Sequence, residues 1–197
     1  MAIVDYGLGN LRSVQRGLER AGASVVITAE RSDIEAADGI VLPGVGAFRE
    51  GMEMLGGLKD TVVASAQEVP LLGICLGMQM LMDQSEEHGL HAGLGLVPGR
   101  VRRFPPAPGM KVPHMGWNTI HIEEDDPLFE ELPRDEYVYF VHSYYAETDP
   151  AYTLTSTEYI CPFASSVHCG QAYGVQFHPE KSGSAGLRIL QNFIRLL

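Results

Sequence analysis

The chain has 197 residues, 45% of them apolar, and a formal net charge of −11. Length and apolar share suit a single domain over residues 1–197 with a full-sized core, and the acidity argues against a general affinity for nucleic acid or anionic membrane. Three cysteines, Cys75, Cys161 and Cys169, form no CxxC and no regular framework, which points to a reducing compartment. The segment Met1–Asp5 becomes charged too early for a secretory signal, and no apolar run reaches the length of a membrane span. A cytoplasmic protein is expected.

Ala2-Ile3-Val4 reads as a short buried strand, followed by the turn Gly7-Leu8-Gly9-Asn10. Leu11, Val14, Leu18 and Ala21 recur at helical spacing, and Gly22 stands where a helix ends. Val25-Val26-Ile27 predicts a second strand, and Ser32 with Glu35 fits a capping box for a short helix. Ile40-Val41-Leu42 predicts a third strand ending at Pro43, and a helical stretch over 48–67 is broken near Gly56-Gly57. Leu71-Leu72-Gly73-Ile74 predicts a fourth strand, with a helix from Leu76 to Met82. Apolar strands alternating with helices mean a mainly parallel sheet with helices on both faces, an α/β fold.

The second half reads differently. Val97–Arg103, Trp117–Ile122, Tyr137–Tyr145, Tyr152–Thr157 and Gly174–Phe177 look like strands with short connections, which predicts an antiparallel extension built of hairpins. Pro105–Gly109 is a loop. Leu187, Leu190, Ile194 and Leu197 predict the apolar stripe of a closing helix.

The segment Leu71–Gln79 carries the strongest chemical signal. A strand ends in G-x-C-x-G and becomes a helix, the cysteine version of a nucleophile elbow. The turn is sharp, and side chains at 73 and 77 would strike the neighbouring strand and helix, so both are glycine. The turn lifts the Cys75 sulfur to the carboxyl edge of the sheet. Partial positive charge at the start of the following helix favours the thiolate, and the Leu76 N–H is placed to stabilise an oxyanion. Gln79 lies one helical turn on, within reach of a bound amide. A second signal is Val175-Gln176-Phe177-His178-Pro179-Glu180. His178 and Glu180, two apart in an extended segment, project to one side, so Glu180 can orient an imidazole that serves Cys75 as base.

These two motifs, G-I-C-L-G-M-Q and G-V-Q-F-H-P-E, resemble those of the class I glutamine amidotransferases. Further blocks narrow the resemblance to the glutaminase subunits of imidazole glycerol phosphate synthases: Val4–Val14, Leu42–Phe48, Pro113–Asn118, Phe140–Tyr145 and Glu180-Lys181-Ser182. The resemblance implies catalytic roles for Cys75, His178 and Glu180, with glutamine hydrolysed through a cysteinyl thioester. It implies that the ammonia passes to a (β/α)8-barrel cyclase, bound as a heterodimer, which makes imidazole glycerol phosphate and an aminoimidazole carboxamide nucleotide in histidine biosynthesis. It further implies an oxyanion hole from Val45, Gly46 and Leu76, and glutamine contacts from Gly44, Gln79, Ser143 and Tyr144. Asn10, Trp117, Asn118 and Lys181 are expected to face the cyclase. No cofactor and no metal are expected.

Three alternatives remain open at this level: a glutaminase with another barrel partner, an independent hydrolase of γ-glutamyl compounds, and an inactive binding protein. The stretch 158–170 fits the family poorly, and its Cys161, His168 and Cys169 have no assignable role. Their spacing matches no usual zinc pattern. Gly7–Arg12 lacks the third glycine of a dinucleotide loop. His114 and His142 read as hydrogen-bonded structural histidines.

Overall fold

The computed structural model describes residues 1–197. In its first half strands and helices alternate: β1 (Ala2–Val4), α1 (Leu11–Ala21), β2 (Val26–Thr28), α2 (Arg31–Glu35), β3 (Ile40–Gly44), α3 (Phe48–Leu55), α4 (Lys59–Ser65), β4 (Leu71–Cys75) and α5 (Leu76–Leu81). The remainder is mostly strand: β5 (Met82–Ser85), β6 (His91–Ala92), β7 (Val97–Arg103), β8 (His114–Ile122), β9 (Asp135–His142), β10 (Tyr144–Glu147), β11 (Thr153–Glu158), β12 (Pro162–Cys169) and β13 (Ala172–Val175). Helix α6 (Gly183–Ile194) follows.

All thirteen strands share one sheet, with the path β2-β1-β3-β4-β13-β12-β10-β7-β5-β6. Strands β2, β1, β3, β4 and β13 run parallel. Every residue of β3 and β4 is buried, because both faces of this part are covered. Alternation sorts the side chains. Ile3, Val41, Leu72 and Ile74 face Val14 and Leu18 of α1 and Ile189 and Phe193 of α6. Val4, Leu42 and Leu71 face Ile34 of α2, Phe48 of α3 and Val62 of α4. From β12, a branch β11-β8-β9 folds off the main path. No helix is long and apolar enough to cross a membrane.

Several expectations need correction. There is no capping box at Ser32, which lies inside α2; instead the Thr28 hydroxyl accepts from the Glu30 N–H and donates to Asp33. The expected strand 137–145 is two strands with a break at Ser143. The strand expected over 174–177 spans 172–175, so Gln176 to His178 form the loop beyond it. Strand β12 and the pair β5 and β6 were not expected, and β5 pairs with β7 in parallel, so the extension is not built of hairpins alone. The buried face of α6 is Ala185, Gly186, Ile189, Leu190 and Phe193, whereas Leu197 is 44% exposed.

Candidate active site

Strands β3, β4 and β13 are neighbours, and their carboxyl ends bring three loops together. At the end of β4 the backbone turns abruptly: Cys75 has φ 55° and ψ −106°, a left-handed conformation that a residue with a side chain adopts at a cost. The flanking glycines permit it. A Cβ at 73 would lie 2.8 Å from the backbone of Gly77, and one at 77 would overlap the Leu42 carbonyl of β3.

The loop after β13 supplies His178 and Glu180. His178 Nδ1 lies 2.9 Å from Glu180 Oε1, with both side chains buried. Their arrangement differs from the expected extended segment, since Pro179–Lys181 form one turn of 3-10 helix that carries Glu180 back toward the ring. The turn is clamped. The His178 N–H donates to the Tyr139 carbonyl, the Ser182 hydroxyl donates to the His178 carbonyl, and the same hydroxyl accepts from the Tyr139 N–H. Helices press close behind it: a Cβ at Gly17 of α1 would lie 3.3 Å from Glu180 Cβ, and one at Gly186 of α6 would overlap the Pro179 carbonyl.

His178 Nε2 is buried and has no hydrogen-bond partner. Burial alone would lower the pKa of this imidazole, but the neighbouring Cys75 sulfur and the hydrogen-bonded Glu180 carboxylate outweigh it and push the value up to about 9. A histidine held charged beside a sulfur favours a thiolate–imidazolium pair. Cys75 Sγ also lies 3.9 Å from the Val141 carbonyl and 3.7 Å from Gln176 Nε2.

Cys75 and His178 line a cavity of about 420 Å³. Val45, Gly46 and Leu76 line it on one side, and Gln79, Ser143 and Tyr144 line it too. Gly46 has φ 103°, a conformation that favours glycine. Gly44 is not on the wall. It is buried, where a Cβ would lie 2.5 Å from the Tyr6 hydroxyl and 2.8 Å from Leu76 Cβ, so close packing accounts for this glycine. Gln79 Nε2 donates to the Tyr144 carbonyl at 3.0 Å and to Gln176 Oε1 at 3.1 Å.

Glu87 was missed. Its carboxylate is buried, accepts from the Phe48 N–H at 2.7 Å and faces the same cavity. In sequence it sits in the acidic run Glu86-Glu87 with nothing to distinguish it from a surface residue. Another cavity, about 490 Å³, is lined by Asp125, Asp126, Glu130 and Glu131 and contains no nucleophile.

The residues expected to face a partner divide. Trp117 is 56% exposed, with its ring edge-on to Tyr139 at 6.2 Å, and the Lys181 ammonium lies 5.9 Å from the Tyr139 ring centre. Asn10 is exposed after β1. Asn118 is half-buried and its amide N–H groups are engaged within the chain, reaching His114 Nε2 at 3.2 Å and the Glu158 carbonyl at 3.0 Å. Away from this site, Cys161 and Cys169 are free thiols, and His168 stacks on Tyr173 at 4.0 Å and pairs with Asp126.

A buried cysteine on a strained strand-to-helix turn, sharing a cavity with a carboxylate-bound histidine, defines the class of cysteine-dependent acyl-transfer sites on an open α/β sheet. The family described as glutamine amidotransferase class-I matches residues 2–196, and the chain belongs to it, within the group of imidazole glycerol phosphate synthase HisH subunits. It is 54% identical to the HisH subunit of Methanosarcina mazei, covering 100% of this chain and 98% of that one. Identity to the HisH subunit of Natronomonas pharaonis is 55%, over 98% and 93% of the two chains. For that of Archaeoglobus fulgidus it is 48%, over 100% and 98%. Among solved structures, a putative GMP synthase protein from Thermoplasma acidophilum shares the fold with a TM-score of 0.75 at 22% identity, over 99% of this chain and 92% of that one. PurLQS from Thermotoga maritima does so with a TM-score of 0.72 at 19% identity, over 98% and 96%.

Proposed function

We propose that this chain hydrolyses glutamine and supplies the ammonia to imidazole glycerol phosphate synthesis in the histidine pathway. Residues 1–197 act as one glutamine amidotransferase domain in the cytoplasm. The observation that carries the reading is Cys75, at φ 55° on the elbow, in one cavity with a His178 bonded to Glu180 at 2.9 Å. The 54% identity to a HisH subunit supports the pathway.

The Cys75 thiolate attacks the side-chain amide carbon of glutamine. The carbon–nitrogen bond breaks, His178 gives its proton to the leaving nitrogen, and ammonia departs from a glutamyl thioester. Water then attacks the thioester, His178 takes its proton, and the carbon–sulfur bond breaks to release glutamate. Backbone N–H groups of the Val45-Gly46 loop and of Leu76 are assigned to the oxyanion of both tetrahedral intermediates. Glu180 orients the imidazole and stabilises its charge. Gln79, Ser143, Tyr144 and Glu87 are assigned to the rest of the glutamine, with the buried Glu87 carboxylate suited to its α-ammonium.

The partner is a (β/α)8-barrel cyclase, bound as a heterodimer over the carboxyl edge of the sheet. Trp117 and Lys181 stand there beside Tyr139, and Tyr137 and Met115 are 62% and 63% exposed on the same pair of strands. Ammonia is readily protonated and lost to water, so the site that makes it faces the site that uses it. Glutamate release should rise when the barrel cyclase and its nucleotide are added. Cys75→Ala should abolish that release and leave cyclisation with added ammonium intact. Undiminished glutamate release from the variant would refute the reading.

A further inference from the structure

Gln176 is completely buried, in the loop between β13 and His178. A buried amide is costly unless its donors and acceptor are used, and here they are used in one order only. The Tyr144 carbonyl can only accept, so the Gln79 atom 3.0 Å away is nitrogen. The second hydrogen of that nitrogen points to Gln176, 3.1 Å away, which must therefore present oxygen. The remaining end of the Gln176 amide is then the NH2 group, and it lies 3.7 Å from Cys75 Sγ.

We propose that Gln176 is a further catalytic group, whose side-chain N–H donates to the Cys75 sulfur and stabilises the thiolate. This rests on Cys75 being the nucleophile. The sulfur has two competing neighbours. The Val141 carbonyl, at 3.9 Å, accepts the S–H of the neutral thiol, whereas the Gln176 N–H favours the charged form. When the thiol ionises, its proton goes to His178 and the sulfur lone pair accepts from Gln176. The bond weakens when the sulfur becomes a neutral thioester, and it re-forms as water releases the thiolate.

The anchor of this chain is itself held. The Tyr144 carbonyl also accepts from His142 Nδ1 at 2.8 Å, so His142 Nε2 accepts from His114 Nδ1 at 2.9 Å. His114 Nε2 in turn accepts from Asn118. Burial pushes the pKa of His114 down to about 4 and that of His142 down to about 3, so both rings stay neutral at neutral pH and the order is not reversed. His114 and His142 are positioning residues for the carbonyl that orients Gln79, and through it Gln176.

The test is the pH profile of Cys75 alkylation by iodoacetamide, read on the Cys75 peptide by mass spectrometry, in the wild type and in Gln176→Met. Methionine retains bulk and has no N–H. The expected result is a midpoint about one pH unit higher, with the alkylation rate about tenfold lower at pH values below the wild-type midpoint and an unchanged plateau in alkali. A profile superimposable on the wild type would overturn the proposal. If Gln176→Met does not fold, the wild-type protein decides by NMR. The Gln176 side-chain amide protons should shift along the same curve as Cys75 alkylation, and their constancy while Cys75 titrates would overturn it. Neither readout uses glutamine, so failure here is distinguishable from failure of glutamine hydrolysis.

Discussion

Acid should destabilise this protein through one buried pair. His114 and His142 lie 2.9 Å apart among the rings of Phe104, Phe140 and Phe163, both buried. Desolvation lowers their pKa values from 6.5 to about 4 and about 3. In the unfolded chain both rings take a proton below 6.5, and in the folded chain neither does until much lower pH. Their contribution is therefore complete above 6.5 and lost as pH falls toward 4 and 3. Each pH unit in that interval costs about 1.4 kcal/mol per ring, so at pH 5 the pair has removed roughly 4 kcal/mol. That compares with a typical stability of about 5–15 kcal/mol.

Other shifted groups act outside this window. His178 and His168 have raised values, so their contributions are complete below 6.5 and fade only as pH rises. Glu147, lowered by Arg100 and held also by Arg102, loses its contribution below the ordinary carboxylate range. Urea unfolding followed by far-UV circular dichroism between about pH 6.5 and 5 measures the pair. His142→Gln should remove about half of the pH dependence, roughly 2 kcal/mol, even though it lowers stability at neutral pH. Equal pH dependence in wild type and variant would refute the reasoning.

Gly77→Ala should lower stability by roughly 3 kcal/mol or abolish soluble expression, because its Cβ would overlap the Leu42 carbonyl; a wild-type thermal melt would count against the elbow geometry. Glu180→Gln should bring the His178 pKa down from about 9 toward its ordinary value and cut kcat for glutamine about a hundredfold, checked by an NMR titration and by glutamate release. Lys181→Ala should weaken nucleotide-dependent stimulation of glutamate release in the complex, and Lys181→Glu should weaken it further, because like charges across an interface repel. Equal stimulation in all three proteins would remove Lys181 from the interface.

The parts of the site that depend on local backbone sterics were legible in the sequence. Gly73 and Gly77 flank Cys75 for a reason that any strand-to-helix turn imposes, and the structure has the collisions that reasoning requires. The neighbouring histidine and glutamate were placed together for an incomplete reason. Alternation in an extended chain would put both on one side, yet the observed 2.9 Å contact arises from a 3-10 turn clamped by Ser182 and Tyr139. Strand β12 is not legible in the sequence because Ser165 and Ser166 interrupt its apolar pattern. They are buried because the Thr155 hydroxyl on β11 bonds to both, a partner that only the sheet supplies. In α6 the apolar residues at 187, 190, 194 and 197 set the expected stripe. Of these only Leu190 is fully buried; the packed face also takes in Ile189 and Phe193, and the small residues Ala185 and Gly186, which let the helix approach the loop at Pro179. Glu87 is an exposed-looking residue until the α3 backbone arrives to satisfy it.

The central claim is that glutamine is cleaved through a thioester on Cys75. Mixing the complete complex with glutamine and nucleotide, quenching in acid within one turnover and digesting the protein would locate the intermediate by mass spectrometry. The account predicts a glutamyl adduct on the Cys75 peptide that disappears as glutamate accumulates, and none on Cys161 or Cys169. Glutamate release at the full rate from a protein whose Cys75 carries no adduct, or has been blocked, would contradict it.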